Sequence, residues 1–326
     1  MAKIGIMSFA HMHAYSYAVS VKTTAGATLA AIWDDDPARG KAASEQFGAP
    51  LIADLDAFLA SDVEGVIICS ENAKHRAMVE AAAKAGKWIL CEKPLATTVE
   101  DAKAMVDLCK KLGVGLGTAF PCRYITPIKA VKDDIAAGKY GNIYAAACTN
   151  NGSYPGGWFA DPKWSGGGAT MDHTVHVADL LRWILGKEIV KVYCENGKLI
   201  RPDIATDDVG SLHFEMEGGI KVSHIASWNR PKSFATWGDI TLEFIGEKGV
   251  VSVDGFNQKI DVYSDDDMKG TWVGWGDNSD TGLVLDFVQS VDERRDPAIT
   301  GYDGLKAVEV TVAAHKSVAT GKAVAV

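Results

Sequence analysis

The chain has 326 residues, of which 47% are hydrophobic and 23% are charged, and its formal net charge is −9. This composition is typical of a globular protein with two domains of ordinary size. An acidic chain without a cluster of Lys or Arg argues against binding to nucleic acid or to an anionic membrane. No run of about 18 apolar residues predicts a membrane span, and the first residues lack the pattern of a signal peptide. The six scattered cysteines form no C-x-x-C pair, which favours reduced thiols and a cytoplasmic location.

The first third of the chain alternates between short apolar runs and amphipathic segments. The apolar runs predict strands at Ile4–Met7, Thr28–Trp33, Val66–Cys69, Trp88–Cys91 and Val114–Gly117. The amphipathic segments predict helices at Pro37–Phe47, Ala73–Ala85 and Val99–Leu112. Such alternation indicates a parallel sheet with helices on both faces, so we expect a doubly wound α/β domain over residues 1–121.

The pattern changes after about residue 120. Helices are predicted at Thr126–Ala137, Ala169–Leu185, Gly282–Val291 and Gly304–Thr320. Strands are predicted at Ile143–Thr149, Val190–Cys194, Gly210–Glu215, Ile220–Ser227, Ile240–Ile245 and Lys259–Tyr263. Consecutive strands separated by turns favour an antiparallel sheet, so residues 122–326 are predicted to form an α+β domain.

The residues that follow the first strand are candidates for dinucleotide binding. They read Ser8-Phe9-Ala10-His11-Met12-His13, where a typical phosphate loop reads G-x-G-x-x-G. Ser and Ala are the smallest side chains after Gly, so the backbone could still approach a pyrophosphate with the amides at the helix start. Because any first strand of an α/β domain could look like this, the loop alone leaves nucleotide binding open.

The second predicted strand ends at an acidic run. Asp36 before Pro37 suits a helix N-cap, which leaves Asp34 to accept hydrogen bonds from ribose hydroxyls. A carboxylate there would repel the additional phosphate of NADP, so NAD is the expected cofactor and NADP the less favoured one. Arg39 lies close enough in sequence to weaken this preference.

The fourth predicted strand ends in the charged pair Glu92 and Lys93, followed by Pro94. Ligands bind at the carboxyl ends of strands in open parallel sheets. A partly desolvated Lys ammonium there can stabilise a developing alkoxide. The alternative is an ordinary pair of charges at the protein surface.

A glycine run leads into the predicted helix Ala169–Leu185. Asp172, His176 and Asp179 fall at i, i+4 and i+7, on one face of this helix. An imidazole beside a carboxylate suits proton transfer near neutral pH. One alternative is a metal site formed by Asp172, His176 and His173, but no further cluster completes a ligand shell, so no metal is expected. The other alternative is a purely structural His176 in the core.

Four aromatic residues lie among glycines before this helix: Tyr154, Trp158, Phe159 and Trp164. Aromatic faces can stack on the C–H patches of sugar rings, and they can equally pack a sheet or an oligomer interface. The sequence leaves both interpretations open.

Together these motifs resemble the Gfo/Idh/MocA oxidoreductase family, which includes glucose–fructose oxidoreductase and inositol dehydrogenases. The resemblance rests on Glu92-Lys93-Pro94 and on Gly166-Gly167-Gly168 with Asp172 and His176. Further matching stretches are Ser70-Glu71-Asn72-Ala73-Lys74-His75, Arg123-Tyr124-Ile125-Thr126-Pro127 and Ala313-Ala314-His315-Lys316-Ser317 with Gly321. Family members usually keep two glycines where this chain has Ser8 and Ala10, so the opening loop is interpreted as a dinucleotide loop rebuilt with small residues.

The resemblance implies an N-terminal Rossmann domain and a C-terminal domain with an open, mostly antiparallel sheet flanked by helices. It implies a bound nicotinamide cofactor, a Lys–Pro peptide that is often cis, and homodimers or homotetramers built through the C-terminal sheet. The cofactor-binding residues it implies are Ser8, Phe9, Ala10, His11, Met12, Asp34, Ser70, Asn72, His75, Glu92 and Lys93. The implied substrate-binding residues are Arg123, Trp164, Asp172 and His176, and the implied catalytic residues are Lys93, Asp172 and His176.

The expected activity is hydride transfer between a nicotinamide cofactor and a secondary alcohol of a sugar, cyclitol or related polyol. His176 would take the hydroxyl proton, Lys93 would stabilise the charge on oxygen, and Asp172 would hold a neighbouring hydroxyl. Two alternatives stay open. One is a redox-neutral enzyme that oxidises a sugar, allows elimination or hydrolysis, and reduces it again. The other is a non-catalytic dinucleotide-binding regulator that acts through protein contacts.

Overall fold

The computed structural model describes residues 1–234, 236–266 and 268–326, which form two compact units. The first unit contains Met1–Pro121, Lys163–Gly166 and Ser279–Val308. The second contains Cys122–Pro162, Gly167–Asn278 and Glu309–Val326. From the sequence, every residue beyond 121 was expected to belong to the second domain. The segments 163–166 and 279–308 correct that assignment, because they pack with the first unit.

The first unit is built on a parallel sheet. Its strands are β1 (Ala2–Met7), β2 (Ala27–Trp33), β3 (Gly65–Ile68), β4 (Trp88–Cys91) and β5 (Leu116–Thr118). Its helices before residue 121 are α1 (His13–Thr23), α2 (Pro37–Phe47), α3 (Leu55–Ala60), α4 (His75–Lys84) and α5 (Val99–Leu112). In the described chain the strand order is β2-β1-β3-β4-β5. The order reverses direction between β1 and β3, and this switch point is where open α/β sheets bind ligands.

Local sequence signals account for the α2 boundaries. The Asp36 carboxylate accepts hydrogen bonds from the amides of Ala38 and Arg39, and Pro37 follows as the first helical residue. At the other end, Gly48 takes the left-handed conformation that ends a helix. The predicted N-cap at Asp36 therefore forms as the sequence indicated.

The second unit is built on a mixed sheet. In chain order its elements are α6 (Thr126–Ala136), β6 (Ile143–Asn151), the short helix α7 (Pro162–Ser165, mostly in the first unit), α8 (Ala169–Leu185), β7 (Ile189–Gly197), β8 (Val209–Met216), β9 (Lys221–Ser227), β10 (Thr241–Gly246), β11 (Gly249–Asp254), β12 (Lys259–Ser264) and β13 (Lys269–Gly274). The chain closes with α9 (Ser279–Glu293), α10 (Gly301–Thr320) and β14 (Val324–Ala325).

Within the described residues the strand order of this sheet is β11-β10-β6-β9-β8-β7-β14. Strands β6 and β9 run parallel and the other neighbouring pairs are antiparallel, which confirms a mostly antiparallel sheet. Strand β12 pairs with β13 in a separate hairpin, so the predicted strand Lys259–Tyr263 does not join the main sheet. Strands β11, β13 and β14 were not predicted.

Helix α8 packs against β6, β8 and β9 and is buried along most of its length. Its first turn lies close to another backbone segment. A Cβ on Gly168 would lie only 2.1 Å from the carbonyl oxygen of Asp207, so a side chain at this position would collide with backbone. The glycine before the helix is therefore needed for close packing.

Helix α9 packs on α1 and β1 of the first unit, where Leu283, Val284 and Phe287 are buried. A sequence pattern shows that a helix has an apolar face but not which sheet that face covers, so this assignment needed the structure. Among the described residues, no helix has the length and apolar character needed to cross a membrane.

Candidate active site

The opening loop keeps a glycine-like backbone without glycine. Ser8, which follows β1, has a φ of 72°, in the left-handed region that glycine usually occupies. Its amide donates to the Trp33 carbonyl at 2.7 Å, which ties the loop to β2. The loop therefore retains the backbone conformation that a glycine normally provides in this position.

The loop is also tied to Asp34 at the end of β2. The Phe9 amide donates to Asp34 Oδ2 at 2.8 Å, and Arg39 Nε donates to the same oxygen at 2.9 Å. Arg39 Nη2 donates to Asp34 Oδ1 at 2.7 Å and to Ser8 Oγ at 3.1 Å. The Asp34 side chain is fully buried in this network. Binding of a ribose by Asp34 would require Arg39 to give up one of these bonds.

The segment after β3 brings Ser70, Asn72 and His75 to the same edge of the sheet. Asn72 Nδ2 donates to the Ser165 carbonyl at 2.9 Å, whereas its buried Oδ1 has no hydrogen-bond partner among the described residues. His75 Nδ1 lies 3.0 Å from the Pro94 carbonyl, and burial lowers the pKa of His75. Asn72 thus offers a buried acceptor, while His75 joins two loops.

Glu92 and Lys93 follow β4, with exposed fractions of 0% and 4%. This burial rules out the alternative of an ordinary surface pair. The Lys93 amide donates to Glu92 Oε2 at 2.9 Å, and His13 Nδ1 lies 2.9 Å from Glu92 Oε1. The peptide between Lys93 and Pro94 is cis.

Electrostatics keep the Glu92 carboxylate charged. Burial by itself would raise the pKa of Glu92, but the imidazoles of His11 and His13 hold it well below its usual range. Burial would likewise lower the pKa of His13, and the neighbouring Glu92 carboxylate raises it instead. No local pattern in the sequence indicates that His13 contacts Glu92, because the two residues lie 79 positions apart.

In the second unit, α8 carries the predicted acid–base residues on its buried surface. Asp172 Oδ2 accepts a hydrogen bond from Trp228 Nε1 at 2.9 Å and lies 3.3 Å from His173 Nε2. His173 Nδ1 lies 2.7 Å from the Asn150 carbonyl. The carboxylate of Asp172 is thus oriented by the indole N–H of Trp228.

His176 lies one turn further along α8 and is 9% exposed. Its Nδ1 is 3.9 Å from Cys122 Sγ. Neither Cys122 nor Trp228 was predicted at this site, since each comes from a segment distant in sequence from α8. The structure therefore shows one unpredicted neighbour for each residue of the predicted pair: Trp228 for Asp172, and Cys122 for His176.

The third residue of the predicted face, Asp179, forms an ion pair with Arg123. Arg123 Nε donates to Asp179 Oδ2 at 2.8 Å and Nη2 donates to Oδ1, and both side chains are buried. This bidentate pair joins the turn at the start of the second unit to α8. The structure shows a structural contact for Arg123, whose implied role in substrate binding stays a prediction.

The aromatic residues separate into two groups. Phe159 belongs to a buried cluster with Trp228, against which Tyr154 and Trp158 also pack, as the packing interpretation expects. Trp164 lies in the first unit, where Lys74 Nζ and Lys163 Nζ lie 5.1 and 4.8 Å from its ring centroid. Stacking of these rings on a sugar stays a prediction.

The predicted alternative of a metal bound by Asp172, His173 and His176 gains no support. Within residues 1–234, 236–266 and 268–326, the three-residue group with the spacing of metal ligands is His11, His13 and Glu92.

Two sequence models match the chain. The model described as "Oxidoreductase family, NAD-binding Rossmann fold" matches residues 2–120, and that of the GFO/IDH/MocA C-terminal domain matches residues 128–252. The 1,5-anhydro-D-fructose reductase of Ensifer adhaerens is 30% identical, over 80% of this chain and 79% of the relative. The chain belongs to the Gfo/Idh/MocA oxidoreductase family. This confirms the resemblance, the dehydrogenase class and the NAD cofactor.

Further Gfo/Idh/MocA proteins match most of the chain. The inositol 2-dehydrogenase of Rhizobium meliloti (strain 1021) is 28% identical, with 95% of each chain covered. The crystal structure of a putative myo-inositol dehydrogenase from Sinorhizobium meliloti 1021 has a TM-score of 0.86 and 26% identity, and covers 100% of this chain and 99% of that one. The predicted architecture, a Rossmann unit followed by an α+β unit, is therefore confirmed.

Proposed function

We propose that this protein is an NAD-dependent dehydrogenase that interconverts a secondary alcohol and a ketone on a sugar, a cyclitol or a related polyol. The observation that carries the proposal is the pair Asp172 and His176. Both are buried one helical turn apart on α8, and Asp172 is held by the Trp228 indole. A buried carboxylate and imidazole arranged in this way suit proton transfer from a hydroxyl group.

Two features of the first unit fit a nicotinamide dinucleotide. Ser8 holds the left-handed backbone conformation of a phosphate loop, and the buried Asn72 Oδ1 is an acceptor without a partner in the described chain. A buried acceptor without a partner is costly unless a ligand completes it. The residues proposed to hold the cofactor are Ser8, Phe9, Ala10, His11, Met12, Asp34, Ser70, Asn72, His75, Glu92 and Lys93. When bound, the nicotinamide ring supplies the hydride chemistry.

In the proposed mechanism, His176 Nε2 takes the proton of the substrate hydroxyl, since Nδ1 faces Cys122 Sγ. The role proposed for the Lys93 ammonium, which is buried after β4, is to stabilise the negative charge of an alkoxide. Asp172 binds a neighbouring hydroxyl and orients the ring. In the direction of ketone reduction, His176 returns the proton to oxygen.

The names of relatives support this substrate class. They include 1,5-anhydro-D-fructose reductase, inositol 2-dehydrogenase and D-apiose dehydrogenase, so sugars and cyclitols are the first candidates to screen. The proposal extends to a cytoplasmic location and to a homodimer or homotetramer formed through the sheet of the second unit. Exposed Ile225 and Ile245 on that sheet support an oligomer, which gel filtration with light scattering would measure.

Cofactor titration followed by a substrate screen tests the function. Purified protein, stripped of any bound nucleotide, is titrated with NAD and with NADP by calorimetry. We expect NAD to bind at micromolar strength and NADP more weakly, because Asp34 and Asp35 lie at the end of β2. Sugars, cyclitols and other polyols are then screened with NAD for formation of NADH.

The results of the titration and the screen distinguish the three candidate functions. Turnover with one polyol that is lost in His176→Gln but kept in His213→Gln, a substitution of an exposed histidine on β8, supports the dehydrogenase. Tight NAD binding with no activity on any polyol would favour the regulator. Cofactor that does not exchange, with sugar conversion but no net NADH, would favour the redox-neutral enzyme. Failure to bind either nucleotide would contradict the proposed dehydrogenase function.

A further inference from the structure

The hydrogen bond from the Trp228 indole to Asp172 joins two segments that are distant in sequence. Trp228 directly follows β9 and is fully buried, and Asp172 lies in the first turn of α8. The backbone at both ends must stay in place for Nε1 and Oδ2 to remain 2.9 Å apart. A third segment, residues 198–208 between β7 and β8, contacts the backbone at both ends. This segment is named the β7–β8 connection.

The β7–β8 connection engages both backbone polar groups of Trp228. The Trp228 amide donates to the Asp208 carbonyl at 2.9 Å. Arg201 Nη1 donates to the Trp228 carbonyl at 3.1 Å and to Asn229 Oδ1 at 3.1 Å. Asn229 Nδ2 in turn donates to the Asp208 carbonyl at 3.2 Å. The buried peptide groups of Trp228 therefore find hydrogen-bond partners in this connection.

Asp208 also fixes the backbone from which the Arg201 side chain extends. Its carboxylate is fully buried and accepts hydrogen bonds from three successive amides, those of Leu199, Ile200 and Arg201, at 2.9, 2.9 and 2.6 Å. The Arg201 guanidinium carbon lies 4.5 Å from the centroid of the Tyr154 ring, which adds a cation–π contact. Arginine loses much rotamer freedom when it is held in one place, so several contacts are needed to offset that cost.

The same connection holds the beginning of α8. The Asp207 carbonyl accepts a hydrogen bond from the Ala169 amide at 3.0 Å. Asp207 Oδ2 accepts from the Thr170 amide at 2.7 Å and from the Thr170 hydroxyl at 2.6 Å. Asp207 thus caps the helix two residues before Asp172, although it lies outside the helix. The neighbouring residues Asp207 and Asp208 therefore hold the acceptor side and the donor side of one hydrogen bond.

We infer that Arg201 is a positioning residue of the proposed active site and acts on Asp172 through Trp228. Its guanidinium fixes the Trp228 carbonyl, so the indole N–H stays within reach of Asp172 Oδ2. The Asp172 carboxylate is thereby kept in the orientation proposed for binding a substrate hydroxyl. The expected effect on turnover rests on the proposed function, whereas the effect on the hydrogen bond itself requires no substrate.

The competing explanation is that Arg201 only stabilises the fold of the second unit. Its removal would then lower the free energy of unfolding, but the molecules that remain folded would keep the bond between Trp228 and Asp172 unchanged. The direct contact of Arg201 with the Trp228 carbonyl favours the positioning role. The two explanations differ in the state of the indole N–H within the folded protein.

Nuclear magnetic resonance of the indole N–H groups tests the inference without a substrate. In a proton–nitrogen spectrum of the full-length protein, the Trp228 signal is the one that Trp228→Phe removes. Donation to a carboxylate deshields the indole proton, so we expect Arg201→Met to move this signal upfield, toward that of an indole in water. The matched control Lys198→Met removes an exposed cation of the same connection and should leave the signal in place.

Circular dichroism establishes that each variant is folded. An unchanged Trp228 signal in folded Arg201→Met would overturn the inference. If that variant does not fold, Arg201→Lys decides the matter. A lysine ammonium lacks the planar fork with which arginine contacts two acceptors, so we expect a smaller upfield shift in Arg201→Lys. A signal at the wild-type position in Arg201→Lys would then count against the positioning role.

A double-mutant cycle tests the route through Trp228, with the substrate that the polyol screen identifies. Arg201→Met should lower kcat by roughly threefold to tenfold, no more than loss of the indole N–H itself. In the Trp228→Phe background the same substitution should lower kcat no further. Losses that multiply would show that Arg201 acts independently of Trp228. If no substrate is found, the proposed function fails, while the indole signal still decides the role of Arg201.

Discussion

The two units hold their buried polar groups in different ways. The strand-end cluster, formed by His11, His13, Glu92 and Lys93, comes from the two segments that follow β1 and β4. The α8 group, formed by Asp172, His173 and His176, comes from a single helix. In the strand-end cluster a carboxylate faces two imidazoles, whereas Asp172 in the α8 group accepts a bond from a neutral indole.

This difference shows two ways in which a protein can stabilise a buried carboxylate. Glu92 stays ionised without any exposure because positive or potentially positive groups surround it. Asp172 is held mainly by directional hydrogen bonding. The first arrangement suits binding of a charged ligand, and the second suits orientation of a group that exchanges a proton. Four substitutions test this contrast.

The largest effect is expected for His176→Gln in the α8 group. The proposed proton transfer predicts that kcat falls by about 10²–10⁴-fold, because an amide cannot exchange the proton. The Kd for NAD, measured by calorimetry, should stay unchanged, because the proposed cofactor residues lie in the first unit. Normal turnover in the folded variant would show that His176 has no role in the chemistry.

The next effect concerns Arg123→Met, which leaves the buried Asp179 without its bidentate partner. Removing one member of a buried ion pair typically costs 3–5 kcal/mol, about the loss we expect in the free energy of unfolding in urea. The matched double variant, Arg123→Met with Asp179→Leu, should recover much of that loss. If the single variant is as stable as the wild type, this pair does not stabilise α8.

A smaller effect is expected at His224. This buried histidine has no acidic partner among the described residues, whereas His13 has Glu92. Burial lowers the pKa of His224 to about 3, whereas Glu92 raises that of His13. Between pH 8 and pH 5 the unfolded chain protonates its histidine, with a pKa of about 6.5, and folded His224 stays neutral. The free energy of unfolding should therefore decrease as the pH is lowered from 8 to 5, and His224 contributes about 2 kcal/mol to that decrease.

The variant His224→Phe removes that contribution. Its free energy of unfolding should decline less between pH 8 and pH 5 than that of the wild type, by about 2 kcal/mol. Urea denaturation at the two pH values measures the difference. Equal declines in both proteins would mean that folded His224 accepts a proton in this range.

The smallest effect is expected for Trp228→Phe, which removes the indole N–H that donates to Asp172. A hydrogen bond to a charged group contributes about 1.5 kcal/mol, so kcat should fall roughly tenfold. The Kd for NAD should not change, which distinguishes loss of orientation from general damage. If kcat is unaffected, Asp172 does not depend on the indole for its position.

The extent to which the sequence predicted the site differs between the two units. Asp172 and His176 were placed on one helical surface from spacing alone, and α8 has the predicted bounds. Their neighbours Trp228 and Cys122 were missed, because contacts between distant segments leave no local pattern. In the first unit the predicted residues Glu92 and Asp34 are buried, but the contacts that join them to His13 and Arg39 were identified only by the structure.

The sequence by itself determined the alternation of strands and helices, the N-cap at Asp36, the glycine before α8 and the common surface of Asp172 and His176. These features depend on backbone geometry that repeats over a few residues. Only the tertiary structure decided that α9 covers the first unit, that Arg123 pairs with Asp179, and that two histidines meet Glu92. Such meetings depend on sheet order and register, which many weak long-range contacts determine together.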